Sequence, residues 1–398
     1  MTASVTGAAA AADPSDCATS FAISGRHLDY IAKHRFERPT LVLDLEAVAA
    51  QYRALARGLG RARIHYAVKA NPHPAILRRL LAEGAHFDAA SRAEIEFCLE
   101  AGARGDQISF GNTIKRGADI AFAHAQGITL FAADAREELD KLAEHAPRAE
   151  VCLRLIVENS AADWPLSRKF GCTADKALML MGYAQERGLQ VAGLSFHVGS
   201  QTRAPWMWEE TLDQVAALWQ SAIAAGHGLR LLNIGGGFPA RYDATELLSA
   251  EAYAAEVMAR VEARFGGVPK IMAEPGRGLV AEAGAIAAEV LLVSKKHEND
   301  LHRWVYLDIG KFSGLAETMD EAIRYPITTA RDLEVTGPCV LAGPSCDSAD
   351  VLYEKQPVQL PLGLRSGDPV VIHACGAYTS TYASVGFNGF APLDVVVI

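Results

Sequence analysis

Tyr66-Ala67-Val68-Lys69-Ala70-Asn71-Pro72 sets a lysine at the end of a short apolar run and halts that run at once with a proline. Ile64–Val68 reads as a buried strand, and Asn71-Pro72 ends it. An ammonium group at a buried strand end is expensive to desolvate, which favours the free amine as a nucleophile. Standing alone, Lys69 is better explained as a lysine whose stem lies on apolar surface while its charge reaches water. The sequence on either side has to decide.

Outward from this stretch the chain repeats one pattern. Short apolar runs at Leu41–Leu43, Ile64–Val68, Phe87–Ala89, Ile108–Phe110, Leu130–Ala132, Val151–Ile156, Leu194–Val198, Leu231–Ile234 and Ile271–Ala273 read as strands. Amphipathic stretches such as Pro74–Glu83, Arg92–Ala101 and Ala174–Arg187 read as the helices between them. Strands alternating with helices predict βαβ units and a parallel sheet. About eight such units over roughly 240 residues fit a (β/α)8 barrel better than a doubly wound sheet. Polar or glycine residues at strand ends, namely Lys69, Asp88, Arg154, His197, Gly235–Gly237 and Glu274, would then share the face where barrels carry their chemistry.

Beyond Glu274 the pattern changes. Ile286–Val293, Trp304–Leu307, Val340–Ala342 and Val370–His373 are valine-rich runs without regular helices between them, and a short helix is expected near Glu317–Arg324. This predicts a second, antiparallel β-sandwich or barrel domain built from both chain ends, residues 21–36 with 279–398, around a barrel of residues 37–278. Residues 1–20 are rich in Ala, Ser and Thr and read as a disordered tail, not a signal peptide.

Composition narrows the function classes. At 398 residues, two domains are the natural expectation, and the formal net charge of −9 argues against nucleic acid as a partner. Seven cysteines without a paired spacing indicate neither a disulfide framework nor a zinc site, so no metal is expected and a cytoplasmic location is favoured. No apolar run reaches membrane-spanning length.

Several further stretches carry chemistry. His197-Val198-Gly199-Ser200-Gln201 closes a strand on polar residues, though a lone histidine there is commonly a satisfied core group. Asn233-Ile234-Gly235-Gly236-Gly237-Phe238-Pro239 can turn successive backbone amides toward an anion, or can simply make a tight turn. It lacks the spacing of a nucleotide-binding loop. Glu274-Pro275-Gly276-Arg277 puts a carboxylate and a guanidinium around a rigid turn, suited to a protonated ring nitrogen and a phosphate. Gly343-Pro344-Ser345-Cys346-Asp347, Gly376-Ala377-Tyr378-Thr379 and Phe387-Asn388-Gly389-Phe390 follow in the second domain.

Taken in order, YAVKAN, FDAASRAEIE, HVGSQ, GGGFP, EPGR, GPSCDSAD, GAYT and FNGF span about Pro39 to Phe390, and this series resembles the fold-type III pyridoxal-phosphate decarboxylases of basic amino acids. Cys346-Asp347 and the FNGF ending look most like bacterial ornithine decarboxylase. The resemblance implies pyridoxal 5'-phosphate as cofactor, held through the amine of Lys69. It implies His197 stacked on the ring, Glu274 facing the ring nitrogen, and Ser200, Gly236, Gly237, Arg277 and Tyr378 around the phosphate. Asp88, Glu94 and Arg154 would form a polar network beside the lysine. Cys346 would protonate the α-carbon once carbon dioxide leaves. Asp320 and Asp347 would grip the distal ammonium of the substrate, with Phe387 and Phe390 walling the leaving carboxylate. The implied reaction is decarboxylation of L-ornithine to putrescine. Dual lysine and ornithine activity, or action on diaminopimelate or arginine, are the alternatives, with an inactive regulatory homologue the remaining one. A homodimer whose sites are shared between subunits is also implied.

Overall fold

The computed structural model describes residues 25–157, 169–243 and 247–398, so the expected tail of residues 1–20 lies outside the described residues. Eight parallel strands close on themselves: β2 (Arg63–Ala67), β3 (His86–Ala89), β4 (Ile108–Phe110), β5 (Leu130–Ala133), β6 (Glu150–Arg154), β7 (Gln190–Ser195), β8 (Leu231–Asn233) and β9 (Lys270–Ala273), with β9 pairing back onto β2. The helices form because each has a buried apolar stripe and a defined start. Leu45–Leu59 begins at Asp44, whose carboxylate accepts from the amides of Glu46 and Ala47, and it buries Val48, Tyr52, Leu55 and Leu59. Pro74–Ala82 starts on a proline whose missing amide would have had no helical partner anyway. One glycine is required by close packing: a Cβ on Gly193 of β7 would lie 1.6 Å from the carbonyl oxygen of Leu231 on β8.

The second unit is an eight-stranded sheet that includes β1 (Thr40–Leu43). Strands β10 (Gly284–Ser294), β11 (Arg303–Leu307), β12 (Ile327–Thr329), β13 (Thr336–Ala342), β14 (Val358–Pro361) and β15 (Pro369–Ile372) run in the spatial order β12-β15-β10-β11-β13-β14. β1 pairs antiparallel with β10 and parallel with β16 (Asp394–Val397). The sheet is therefore mixed, with a second parallel pair at β11 and β13, where the sequence had suggested purely antiparallel pairing.

The expected barrel range of 37–278 needs a correction at its start. Thr40–Leu43 is fully buried, as a barrel strand would be, but its backbone pairs with β10 and β16. An apolar run carries no mark of which sheet it will join. The Arg26–Lys33 helix packs on this sheet, against β1 and β10. The short helix expected near Glu317–Arg324 is a 3-10 segment, Ala316–Glu321, kinked at Met319 and Asp320.

Candidate active site

The strand carrying the opening motif ends at Ala67, and Val68–Ala70 forms one 3-10 turn beyond it. Val68 and Ala70 are buried while Lys69 between them is exposed. Its amine opens into a cavity, so the chain does not desolvate it to the degree its strand-end position had suggested. The turn is fastened on both sides. The Tyr66 hydroxyl donates to the Asn71 carbonyl (3.0 Å), the Asn71 side chain donates to Gly376 O (2.8 Å), and the Tyr378 amide donates to Ala70 O (2.8 Å). YAVKAN of the barrel and GAYT of the second unit are thereby sewn together.

The cavity, about 300 Å³, lies at the C-terminal ends of the barrel strands. Lys69, Asp88, His197, Ser200, Gly236, Gly237, Glu274, Arg277 and Tyr378 all line it, as the sequence had led us to expect, joined by Glu317 and Tyr382. Arg154 lies deeper in the barrel mouth, lining a smaller space with Asp88, His197 and Glu274.

His197 Nδ1 accepts from the Gly199 amide (3.0 Å), so a neutral ring carries its proton on Nε2. Burial, followed by the charges of Lys69 and Arg154, pushes its pKa well below the usual imidazole value. Asp88 is held well above the usual carboxylate range, first by burial and next by the charge of Glu274, while Lys69 and a hydrogen bond from Ser109 Oγ (3.0 Å) act the other way. Glu94 is likewise raised by burial, and its carboxylate accepts from the Ala90 amide (2.7 Å).

The glycine loop is built by Asn233, a residue to which the sequence reading gave no role. Its carbonyl oxygen accepts from the Gly235 amide (2.9 Å) and its NH2 donates to Glu274 Oε1 (2.5 Å). Gly235 and Gly237 have positive φ, +68° and +102°, which glycine adopts without strain. A Cβ on Gly236 would sit 2.9 Å from both His197 Nε2 and the Glu274 carbonyl oxygen. The amides of Gly236, Gly237 and Gly276 donate to no acceptor among the described residues.

These features fit a phosphorylated pyridine. Unpaired amides beside Ser200, Arg277 and Tyr378 suit a phosphate, the neutral His197 suits a ring face, and adjacent Glu274 and Asp88 carboxyls suit a cationic ring nitrogen.

The remaining expected residues lie elsewhere. Cys346 and Asp347 are exposed, Asp320 has a side chain 96% exposed, and none of the three lines the Lys69 cavity. Cys346 donates its amide to Asn388 Oδ1 (2.9 Å), which ties the GPSCDSAD loop to the FNGF turn. Phe387 packs on Phe312 (ring centroids 5.0 Å apart), and Phe387 and Phe390 line a separate small pocket with Ser345 and Asp350. One chain thus presents two chemical surfaces, a cavity on the barrel and an exposed Cys-Asp face on the second unit. Glu317 and Tyr242, both bonded to Arg277, were missed because nothing near them in sequence signals a partner on another element.

Comparison with known proteins agrees with this geometry. Residues 45–281 match the family model described as pyridoxal-dependent decarboxylase, pyridoxal binding domain. The lysine/ornithine decarboxylase of Selenomonas ruminantium is 35% identical over 93% of this chain and 92% of its own. The solved structure of the Vibrio vulnificus lysine/ornithine decarboxylase with cadaverine superposes with a TM-score of 0.83 at 35% identity, over 94% of this chain and 98% of that one. The Paramecium bursaria Chlorella virus arginine decarboxylase gives 0.84 at 29% identity, over 93% and 99%. Among the described residues no helix is long and apolar enough to cross a membrane. The chain belongs to the fold-type III pyridoxal-phosphate-dependent decarboxylases of basic amino acids, and is a carboxy-lyase with pyridoxal phosphate as its cofactor.

Proposed function

We propose that this enzyme decarboxylates L-ornithine to putrescine and carbon dioxide, as a homodimer in the cytoplasm. The observation that carries the substrate reading is the exposed pair of carboxylates, Asp320 and Asp347, on the unit that also carries Cys346. Two carboxylates that become buried around a bound substrate favour a cationic side chain and reject a neutral one, which would leave them unpaired. Bound pyridoxal phosphate supplies the electron sink that makes loss of carbon dioxide from an amino acid accessible.

The chain's own residues do the rest. Lys69 holds the cofactor through its amine, and Glu274 keeps a proton at the ring nitrogen. His197, neutral and fixed by the Gly199 amide, covers the ring face. Ser200, Gly236, Gly237, Arg277 and Tyr378 hold the phosphate, and Asp88, Glu94 and Arg154 order the polar groups beside Lys69. Cys346 delivers a proton to the α-carbon, Asp320 and Asp347 take the distal ammonium, and Phe387 and Phe390 exclude water from the departing carboxylate. Because Cys346 and Asp347 are exposed and do not line the Lys69 cavity of their own chain, they serve the cavity of a second copy. Exposed Phe387 and Phe390, which share a small pocket with Ser345, form the apolar surface such a contact would use.

Lysine is the second reading, favoured by relatives named for both substrates. The two amino acids differ by one methylene, worth about 1–3 kcal/mol in a shaped pocket. Carbon dioxide release from L-ornithine, L-lysine, L-arginine and meso-diaminopimelate, with pyridoxal phosphate added, separates the readings. We expect ornithine to be preferred and the preference to be lost in Asp347→Ala. Equal turnover of lysine would widen the pocket, and no turnover of any of the four would reject the substrate class.

A further inference from the structure

Arg277 and Glu317 are both almost fully buried, with side chains 4% and 7% exposed, and they form a two-pronged ion pair. Nη1 donates to Glu317 Oε2 (2.7 Å) and Nη2 to Oε1 (2.5 Å), while Nη1 also donates to the Tyr242 hydroxyl (2.9 Å) and Nε to Ser200 Oγ (3.2 Å). A guanidinium has five N–H groups. Four are engaged here, which leaves one on Nη2. The two partners come from different units: Arg277 follows the last barrel strand, and Glu317 sits in the Ala316–Glu321 segment of the second unit.

An arginine without a counter-ion would offer a phosphate, carrying roughly two negative charges, its full positive charge in a water-poor site. In this chain that charge is already matched at hydrogen-bond distance. The donors left for a phosphate are one N–H of the charge-matched Arg277 and the neutral amides of Gly236, Gly237 and Gly276 with the hydroxyls of Ser200 and Tyr378.

We propose that Glu317 is a resident counter-ion of the phosphate cradle, a positioning residue that orients Arg277, cancels its charge and thereby sets cofactor affinity below what the arginine alone would give. The inference rests on reading Arg277 as a phosphate neighbour. Thermodynamic linkage fixes the sign of the effect. Removing the carboxylate charge leaves a buried arginine uncompensated in the cofactor-free protein, and a bound phosphate then supplies the compensation. Loss of the Glu317 charge should therefore tighten cofactor binding, whereas an ordinary supporting contact would weaken it when removed.

The test uses the full-length chain freed of cofactor and titrated with pyridoxal phosphate and, separately, with pyridoxal, followed by tryptophan fluorescence and absorbance. In Glu317→Gln the Kd for pyridoxal phosphate should fall roughly tenfold or more, the scale on which one close charge acts in a buried site. The Kd for pyridoxal should stay put, and Glu317→Asp, which restores the charge, should return the wild-type value. Unchanged or weaker pyridoxal phosphate binding in a folded Glu317→Gln protein would overturn the proposal. Should that variant not fold, salt dependence in the wild type decides. Cradle affinity resting on neutral donors and a charge-matched arginine should change little with ionic strength, and a steep loss with salt would overturn the proposal. Failure of the underlying reading looks different: Arg277→Ala would then weaken pyridoxal phosphate no more than pyridoxal.

Discussion

Gly236 is the position where one methyl group should be felt most sharply. Its Cβ would press on His197 Nε2 and on the Glu274 backbone, and the backbone contact cannot swing aside. Gly236→Ala is expected to weaken pyridoxal phosphate binding roughly tenfold, about 1.4 kcal/mol, with a far smaller change in Tm. Asp320 makes the opposite trade. It adopts φ +54° and is followed by Glu321 at +60°, two left-handed residues in a row. Asp320→Gly should hold or raise Tm, because glycine relieves that conformation, while KM for the amino acid rises roughly tenfold or more and kcat falls less. A fall in Tm with KM unchanged would make Asp320 a structural residue. Buried histidines set the pH response. His373 is pushed down to about 4, mainly by burial and also by His27, which is itself lowered by its own burial. The unfolded chain takes up a proton near pH 6.5 that folded His373 resists until about 4, so stability present above that range is lost as pH falls through it, by up to about 3 kcal/mol. Melting curves at about pH 7 and about pH 5 should show a smaller drop for His373→Gln than for the wild type. The sequence made Lys69, His197, Gly236 and Glu274 readable because each sits in a run whose neighbours constrain it. Asn233 and Glu317 were not readable, since each has a decisive partner, Glu274 and Arg277, about forty positions away.

Elements are positioned by a few buried anchors, and Asp350 is the clearest. Its Oδ1 accepts from the Lys311 amide (2.7 Å), and its Oδ2 from the Ser345 amide (3.1 Å) and hydroxyl (2.6 Å). Gly310 and Gly343 have no room for a Cβ beside it, the nearest oxygens lying 2.2 and 2.3 Å away. Two segments, Gly310-Lys311 and Gly343–Ser345, thus converge on one carboxylate, and the Cys346-Asp347 loop hangs from the second. Asp350→Asn must turn an NH2 toward one of these donors, so it should lower kcat/KM roughly tenfold or more while leaving pyridoxal phosphate affinity unchanged. Equal loss of both would mean that the whole unit has loosened. At this scale the barrel strands were legible from their apolar runs and helical spacers, to within a residue or two at their ends except for β7, expected at Leu194–Val198 and found at Gln190–Ser195. The membership of Leu41–Leu43 was not, because this run is buried on both faces as a barrel strand would be and pairing partners are chosen by the rest of the chain.

At the scale of the whole molecule, separation of the Lys69 cavity from the Cys346 face is the feature that calls for a second copy. If each site takes its lysine from one chain and its cysteine from the other, mixing Lys69→Ala with Cys346→Ala protein should restore about a quarter of wild-type activity, since half the dimers are mixed and each keeps one intact site. No recovery after proven subunit exchange would argue that each chain works alone. The sequence resemblance implied both the candidate residues and sites shared between subunits, and the structure adds that Cys346 and Asp347 do not line the Lys69 cavity of their own chain. The sheet that bears Cys346 also has a history in time. β1 lies between β10 and β16, so Leu43 is in register with Val397. During synthesis the barrel can close as soon as β9 has emerged, while β1 waits as a half-made apolar edge until β16 has been made. A chain that stopped before Asp394 would therefore carry a finished barrel on an unfinished sheet, a product prone to stick to its own kind long before its chemistry could be tried.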